Sequence, residues 1–416
     1  MTGTATRDFR LLWTGETTSF LGTSIGGIAL PLVALDVLHA STFLVSALTA
    51  AAWLPWLVIG LPVGAWVDRL PRRLVLIVAD LVSLVAFASV PVAAWCGVLT
   101  SAQLLLAALV GGVAGVFFQT AFRAMLPSML AREDLLEGNS RLQGSQQVAN
   151  VAGPGAAGLI AQAAGPVFGV LANAVSFAVS ALCLGVIRVR EPQRVATLRR
   201  LTREIAEGLE IVVKDPLLRV TTVSGSLMNL TLVGFQAVLV VFLVRVLGFD
   251  SGVTGVLIAL TSLGGVAGAF LAGPAAWRLG TARFALLSKV AITPAGLLIP
   301  LASKGPGVAF FVAGNVLLIA GVVAGNVIWQ GWVQSYYPAR LLGRVSTSTQ
   351  VVNYGAIPLG ALLAGVLATH LGVRNTLWIM LSGLVASSFI LFASRLPRMR
   401  DLPERDAEPS KEAAAA

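Results

Sequence analysis

The ten residues Gly64-Ala-Trp-Val-Asp-Arg-Leu-Pro-Arg-Arg73 lie between two long apolar runs, and a diverged copy, Gly273-Pro-Ala-Ala-Trp-Arg-Leu-Gly-Thr-Ala-Arg283, follows 209 residues later. Each copy comes after the second apolar run of its half. Farther along, Gln147-Val-Ala-Asn150 returns as Gln350-Val-Val-Asn353 at an offset of 203 residues. Repetition at a nearly fixed offset indicates that the chain consists of two related halves in tandem.

The composition places the chain in a lipid bilayer. Of its 416 residues, 56% are hydrophobic and 12% are charged, and the mean hydropathy is +0.86, which is too apolar for a soluble globular protein. Crossing a hydrocarbon core about 30 Å thick takes roughly 20 apolar residues, and backbone hydrogen bonds must be satisfied internally there. The sequence therefore predicts an all-α membrane protein with twelve transmembrane helices. We expect these spans at 10–38, 43–67, 74–96, 101–124, 140–163, 166–187, 220–247, 252–276, 284–303, 306–334, 346–370 and 375–394.

The basic residues predict the orientation of the chain. With the N-terminus in the cytoplasm, 26 of the 29 Lys and Arg residues lie inside, and only Arg245, Lys304 and Arg374 lie outside. The positive-inside rule therefore predicts a multi-pass cell-membrane protein with both termini in the cytoplasm. The formal net charge of +10 reflects this topology and attraction to the inner leaflet. Because the cations are scattered over separate segments, we expect a lipid bilayer and no nucleic acid as partner.

The two halves are joined by a charged segment. The predicted organisation is an N-terminal six-helix bundle over 1–187, a cytoplasmic connector over 188–219, a C-terminal six-helix bundle over 220–394 and a disordered cytoplasmic tail over 395–416. In the connector, apolar residues recur at helical spacing, namely Leu198, Leu201, Ile205, Leu209 and Val212. This pattern predicts an amphipathic helix on the inner leaflet or under the bundles, with a regulatory partner site as the alternative.

The loop at Gly64 resembles the cytoplasmic loop signature of the major facilitator superfamily. The residues that match the signature are Gly64, Asp68, Arg69, Arg72 and Arg73, and Pro71 stands where a glycine is usual. The resemblance covers nearly the whole chain and implies two pseudo-symmetric six-helix bundles with alternating access. An acid beside arginines at an inner turn can pair across the inner mouth or cap a helix of the other half. We expect this loop to form a cytoplasmic gate, and simple topology anchoring is the alternative.

Further motifs are similar to those of drug exporters in the same superfamily. Gly153-Pro154-Gly-Ala-Ala-Gly158 on the fifth span resembles the core of the antiporter signature. The segments Phe9–Gly15 and Pro338–Val345 are similar to the branch that contains macrolide-efflux and enterobactin-exporter proteins, a branch of drug and proton antiporters. The fourth span departs from the family pattern, because Leu106–Gly115 contains no arginine.

Several other chemistries are excluded by residue type and spacing. None of the four lysines follows a glycine, so no phosphate-cradling loop for ATP is present. Cys96 and Cys183 lie at different depths, too far apart for a disulfide. His39 and His370 have no ligand partner nearby, so we expect no metal and no cofactor. No nucleophile and base are grouped, so we expect a protein that is not an enzyme.

An ion gradient remains as the source of energy, and ionisable groups in the membrane are the natural coupling sites. Glu16 and Asp36 on the first span are the proton-coupling candidates. Glu16 lies about two turns from the cytoplasmic end; a local pair with hydroxyls or an inner arginine is its alternative role. Asp80 on the third span corresponds to Lys289 at the 209-residue offset, and we interpret both as structural.

Amide side chains in the spans are the candidates for the wall of a central cavity. They are costly in hydrocarbon unless they face one another, water or cargo. The candidates are Gln146, Asn150, Asn229, Gln236, Asn326, Gln330 and Asn353. A wall of amides and aromatics with few charges favours bulky amphipathic organic molecules.

The sequence therefore predicts a monomeric secondary transporter that exports a hydrophobic or amphipathic small organic molecule in exchange for protons. An importer with the same fold and a transport-silent membrane sensor or scaffold are the alternatives.

Overall fold

The computed structural model describes residues 3–67, 69–130, 134–187, 210–337 and 339–403. Within these ranges the chain forms twelve long helical segments and no strand, which confirms the predicted all-α fold. Their bounds are Gly3–Asp36 (α1), Thr42–Val67 (α2), Arg72–Trp95 (α3), Ser101–Met129 (α4), Leu135–Ala164 (α5), Pro166–Val186 (α6), Pro216–Val241 (α7), Ser251–Leu279 (α8), Thr281–Leu301 (α9), Val308–Tyr336 (α10), Ala339–Leu371 (α11) and Val373–Phe389 (α12).

The helices divide into two bundles, which we call the N-terminal lobe (α1 to α6) and the C-terminal lobe (α7 to α12). In the N-terminal lobe α1 packs on α5 and α6, α3 packs on α4 and α6, and α2 packs on α4. In the C-terminal lobe α8 packs on α10, α7 packs on α11 and α12, and α9 packs on α10 and α12. The lobes meet through the pairs α2 with α11 and α5 with α8.

Small residues bring helices of one lobe close together. A Cβ atom added at Gly314 of α10 would lie 2.9 Å from the Ala295 carbonyl oxygen of α9, which is closer than real Cβ atoms approach. Gly112 of α4 and Gly264 of α8 meet backbone carbonyls of α2 and α10 in the same way. In hydrocarbon, where helices gain little from hydrophobic association, such close packing supplies much of the attraction.

Helix α5 differs in composition from its neighbours. Eleven helical segments in the described part of the chain are apolar and long enough to cross a membrane, and α5 is not among them. Its N-terminal half carries polar side chains, including Ser140, Arg141, Gln143, Ser145, Gln146 and Gln147. The fifth predicted span is therefore a long helix of the bundle that is too polar to qualify as a span by composition.

Helix α9 changes its hydrogen-bonding pattern along its length. It is α-helical over Thr281–Leu287, π-helical over Ser288–Ile292 and 3₁₀-helical over Thr293–Leu301. Pro294 has no N–H to donate to the preceding turn, and the Thr293 hydroxyl donates instead to the Ser288 carbonyl oxygen at 3.1 Å. The wide turn that results contains Lys289.

The C-terminal tail is ordered for longer than the sequence predicts. Residues 395–403 pack on the end of the C-terminal lobe, with Leu396 and Leu402 buried beside Trp332. The Trp332 indole N–H donates to the Pro403 carbonyl oxygen at 2.9 Å. The prediction of disorder from residue 395 is therefore wrong for this stretch, because its two leucines bury apolar surface. Residues 404–416 lie outside the described residues.

The connector is described only at its end. Residues 188–209, with most of the predicted amphipathic helix, lie outside the described residues. Asp215 caps α7, because its Oδ1 accepts hydrogen bonds from the N–H groups of Leu217 and Leu218 at 2.9 and 3.1 Å. Helix α7 thus begins at Pro216, four residues before the predicted start of the second bundle at 220.

Candidate functional site

The lobes approach each other closely where α5 crosses α8. A Cβ atom added at Gly158 would lie 2.6 Å from the Ser251 carbonyl oxygen and 2.7 Å from Gly255 Cα. Gly255 meets the Pro154 carbonyl oxygen equally closely, and Gly153 is pressed in the same way against α1. Glycine is required here because any side chain would separate the helices. Pro154 and Gly158 of the antiporter-like motif thus form one of the two contacts between the lobes, and Gly153 packs on α1 within the N-terminal lobe.

The second contact between the lobes joins α2 to α11. A Cβ atom at Gly365 would lie 2.9 Å from Ser46 Cβ. Nearer the middle of the helices, the Trp53 and Trp56 rings meet the Tyr354 ring edge-on, with centroids 5.6 and 5.5 Å apart. Aromatic rings favour this edge-to-face arrangement. The contact therefore runs from the predicted outer end of α2 to its middle.

Polar contacts close the predicted outer end. The Arg245 guanidinium, after α7, donates to the Ala40 carbonyl oxygen at 2.6 Å. The Ser251 hydroxyl of α8 donates to Asp36 at the exposed end of α1, at 3.3 Å. On the opposite half, no described atom outside the adjoining residues and backbone of α2 lies within 4 Å of a Cβ position at Gly64. The polar contacts described between the lobes thus lie on the predicted outer side, and Asp36 takes part in them.

The predicted cavity residues lie on four helices, α5, α7, α10 and α11. Exposed amides stand at Asn150, Gln236, Asn326 and Gln330, and partly buried ones at Gln146, Asn229 and Asn353. Asn353 has a structural partner, because its Oδ1 accepts a hydrogen bond from the Ser226 hydroxyl at 3.1 Å. That bond joins α11 to α7 within the C-terminal lobe. A role for any of the seven in binding cargo remains a prediction.

Glu16 lies inside the N-terminal lobe, at the junction of α1, α3 and α6. Its side chain is buried, as are those of Asp80 on α3 and Ser180 on α6. A Cβ atom at Gly15 would lie 3.1 Å from Cys183 Cβ and 3.4 Å from Ser180 Cα, so α1 and α6 nearly touch at this level. Glu16 Oε1 and Asp80 Oδ2 have no hydrogen-bond partner among the described residues. Two buried carboxyl groups thus lie near each other and repel each other when both are ionised.

Polar residues continue from Glu16 along the contact between α1 and α6. Gly22 faces Ser176, and Gly26 faces the Asn173 amide. Both polar side chains are buried, and Asn173 Oδ1 has no partner among the described residues. We call this row the α1–α6 polar seam; it consists of Glu16, Asp80, Ser180, Ser176 and Asn173.

The predicted cytoplasmic gate is described in part. Asp68 lies outside the described residues. Arg72 Nη1 donates to the Ala124 carbonyl oxygen of α4 at 2.7 Å, and Arg73 Nε donates to the Leu184 carbonyl oxygen near the end of α6 at 2.8 Å. Helix C-termini have carbonyl groups without helical partners, and cations there also favour the helix dipole. The paired arginines therefore tie the start of α3 to its neighbours, and a gating role remains a prediction.

Comparison with known proteins assigns the family. The family model described as Major Facilitator Superfamily matches residues 12–361. The chain belongs to this superfamily. The multidrug efflux pump Tap of Mycolicibacterium fortuitum is 30% identical over 97% of this chain and 98% of its own. Macrolide efflux protein A of Streptococcus pyogenes is 21% identical over 95% of this chain and 97% of its own.

Solved structures of other proteins share the fold of this superfamily member. A bacterial homologue of the iron transporter ferroportin in its inward-facing state matches with a TM-score of 0.76, at 16% identity, over 93% of this chain and 98% of that one. The outward-facing state gives a TM-score of 0.60, at 18% identity, over 94% and 100%. The resemblance predicted from the loop signature and the multi-pass membrane fold are therefore confirmed.

The three residues that α6 contributes to the α1–α6 polar seam are the part of the site that sequence reasoning missed. Asn173, Ser176 and Ser180 recur at spacings of three and four residues, which places them on one face of a helix. Gly15, Gly22 and Gly26 form a matching row on α1 at spacings of seven and four. The two rows were visible as separate patterns, but nothing in the sequence says that they face each other.

Proposed function

We propose that the protein is a monomeric cell-membrane exporter of hydrophobic or amphipathic organic compounds. It works by alternating access and exchanges its cargo for protons, with both termini in the cytoplasm. The observation that carries the proposal is the position of the contacts between the lobes: they meet on the predicted outer side, around Gly158 and Gly255. Every alternating-access cycle includes such a state, open to the cytoplasm, and the efflux function of the relatives Tap and macrolide efflux protein A supports the outward direction.

Two observations support this assignment of the state. Asp36 and Ala40 accept hydrogen bonds from residues of the C-terminal lobe at the predicted outer end. The fold also matches the inward-facing ferroportin homologue with a higher TM-score than the outward-facing one, 0.76 against 0.60. Opening the outer side would require α5 to leave α8 and α2 to leave α11.

The proposed cargo path runs between the lobes. Amides at Asn150, Asn326 and Gln330 are exposed, and an amide that faced lipid would be costly. Trp53, Trp56 and Tyr354 lie where the path is closed at mid-membrane. Aromatic rings with scattered amides and no fixed charge suit bulky, amphipathic molecules. The drug-efflux function of the relatives Tap and macrolide efflux protein A supports the same class of cargo.

The proposed proton site is Glu16, with Asp80 as its neighbour. A buried carboxyl group without a neighbouring cation is stable as the neutral acid. Its ionised form can exist only transiently. Helix α1 touches α4, α5 and α6 and also α7 of the other lobe. A change in the charge of Glu16 can therefore act on the packing of the helix that borders the path.

A transport assay with the purified protein tests the proposal. Proteoliposomes that contain the protein are given an acidic interior and an external fluorescent lipophilic cation such as ethidium. Molecules whose cytoplasmic face points outward should accumulate the dye above its equilibrium level, and a protonophore should abolish the accumulation. Equal dye uptake with and without the pH gradient, or accumulation only with an alkaline interior, contradicts proton-coupled export.

A further inference from the structure

A pocket of about 360 Å³ lies at the predicted cytoplasmic ends of α8 and α9. It is lined by Arg278, Leu279, Arg283, Leu287 and Arg400. We propose that this pocket binds the phosphate-bearing headgroup of an anionic phospholipid. The proposal is independent of cargo and of proton coupling.

The charges in the pocket favour an anion. The three arginine side chains that line it are exposed. Among the described residues, the acid beside the pocket is Asp401, whose Oδ2 lies 3.9 Å from Arg400 Nε. Its Oδ1 accepts a hydrogen bond from the Thr281 N–H at 2.8 Å, so this carboxylate already binds the start of α9. The pocket has three guanidinium groups and one carboxylate that already accepts a hydrogen bond, so N–H donors remain for a phosphate. The oxygens of a phosphate fit the planar fork of donors on a guanidinium group.

The backbone around the pocket holds the arginines in place. The Arg400 carbonyl oxygen accepts hydrogen bonds from the N–H groups of Ala282 and Arg283, at 3.1 and 3.3 Å. The C-terminal segment thus supplies partners for the first N–H groups of α9, which have none within the helix. Gly280 allows this approach, because its φ of +94° is unfavourable for other residues and a Cβ atom there would collide with Arg400. The pocket is therefore built by the fold from two distant parts of the chain.

The apolar part of the pocket distinguishes a lipid from a free anion. Leu279 and Leu287 are 45% and 42% exposed beside the arginines, and the neighbouring Trp277 is 83% exposed. Exposed tryptophan is typical of the membrane interface. A free phosphate ion would gain nothing from these side chains, whereas the glycerol and acyl chains of a phospholipid would cover them. Basic pockets at the cytoplasmic ends of helices are suited to anionic headgroups.

The equivalent loop of the first half has a different arrangement. Arg72 and Arg73 donate to carbonyl oxygens of α4 and α6. In the second half, Arg278 and Arg283 line a pocket, and Trp277 stands where the first copy has its acid. The diverged copy thus has a tryptophan, which suits the lipid interface, where the first copy has an aspartate.

Native mass spectrometry of the full-length protein in detergent tests the site. The probe is phosphatidylglycerol, compared with phosphatidylcholine of the same chains and with inorganic phosphate. The variant R278Q/R283Q/R400Q should bind phosphatidylglycerol on the order of 100-fold more weakly, since each basic residue near an anionic surface contributes a factor of about five. The control R7Q/R10Q/R123Q removes three exposed arginines from the same side of the protein, and it should change binding less than about threefold.

Several outcomes would overturn the proposal. Binding of phosphatidylglycerol by the triple variant at the wild-type level would show that the arginines do not form the site. Equal binding of phosphatidylcholine would show that the headgroup charge is not recognised. Arginine-dependent binding of inorganic phosphate at the same concentrations would assign the pocket to a free anion. Because the three substituted side chains are exposed, the variant should retain its thermal unfolding midpoint, which serves as the folding control.

Discussion

The N-terminal and C-terminal lobes differ in the ionisable residues at corresponding positions of the repeat. In the N-terminal lobe, Glu16 and Asp80 are buried near each other. The positions 209 residues later are Gly225, whose neighbour is Asn353, and Lys289, which is partly buried against Gly325. Lys289 lies in the π-helical turn of α9, where the widened turn makes room for its side chain. The repeat thus preserved helix packing while the ionisable groups diverged.

The difference indicates that the two lobes have different roles. A site that takes up and releases one proton needs a carboxyl group without a permanent counter-ion, and we propose Glu16 of the N-terminal lobe for this role, because its Oε1 has no hydrogen-bond partner among the described residues. The C-terminal lobe holds the pocket for an anionic headgroup and the ordered tail. We therefore expect proton coupling to depend on the N-terminal lobe and attachment to the inner leaflet to depend on the C-terminal lobe.

Substitution of the buried acid should have the largest effect. A gradient of about two pH units supplies about 2.7 kcal/mol per proton, enough for roughly 100-fold accumulation of an exchanged solute. Glu16→Gln should abolish this accumulation, because the amide cannot take up a proton. Ethidium accumulation in proteoliposomes measures it. The matched control is Lys289→Gln in the other lobe, which should retain most of the gradient-driven accumulation.

A substitution in the contact between α5 and α8, which closes the outer side, should have the next largest effect. Gly158→Ala inserts a methyl group between α5 and α8, and overpacking of this kind costs about 1 to 3 kcal/mol. We expect the transport rate to fall about 5- to 100-fold, because the state closed on the outer side is destabilised. Gly144→Ala on the same helix is the control, since no atom of the described residues lies within 4 Å of that position. Equal rates for the two variants would contradict the assigned interface.

The α1–α6 polar seam can be tested by stability rather than transport. Gly22→Ala places a methyl group against the Ser176 side chain and should lower the free energy of unfolding by about 1 to 2 kcal/mol. Gly27→Ala on the same helix meets no described atom within 4 Å and should be neutral. Thermal unfolding in detergent measures both variants. A larger loss for Gly27→Ala would show that the packing of α1 on α6 is misplaced.

Removal of a hydrogen bond at the start of the C-terminal lobe should have the smallest effect on the free energy of unfolding. The Tyr337 hydroxyl donates to Asp215 Oδ2 at 2.6 Å. Burial, together with the bond to Asp215, raises the pKa of Tyr337 well above its usual range. The hydroxyl therefore remains a donor, and its stabilisation should persist below the usual tyrosine pKa of about 10 and be lost only at higher pH.

Tyr337→Phe should cost about 1 kcal/mol of unfolding free energy, equally at about pH 6 and pH 9. Thermal unfolding at the two pH values measures it. Tyr336→Phe on the preceding residue is the control and should be nearly neutral. A cost for Tyr337→Phe that disappears between these pH values would mean that the hydroxyl ionises within that range.

The fold was largely predictable because a bilayer imposes a simple rule on composition. Twelve charge-poor stretches gave twelve helices, and the repeated loop indicated two related bundles. The polar helix α5 and the ordered segment 395–403 show where composition is insufficient. Charges and prolines predict disorder for the tail, yet Leu396 and Leu402 bury enough surface to hold it.

The candidate site was only partly predictable. Gly153, Pro154 and Gly158 were recognisable as a motif, but the contact of Pro154 and Gly158 with Gly255 depends on the crossing of two helices from different lobes. Asp80 was interpreted as a structural residue at the periphery. Its burial near Glu16 follows from the way α3 and α1 both pack on α6. Helical periodicity indicates which residues share a face, and it does not indicate which face another helix will cover.

The most direct test of the central claim is the movement of protons caused by cargo. Ethidium is added to proteoliposomes that contain a trapped pH-sensitive dye, with wild-type protein, Glu16→Gln or Lys289→Gln. Wild-type protein and Lys289→Gln should move protons in the opposite direction to ethidium, whereas Glu16→Gln should exchange ethidium without any proton movement. Undiminished proton movement by Glu16→Gln would contradict the assignment of coupling to the N-terminal lobe.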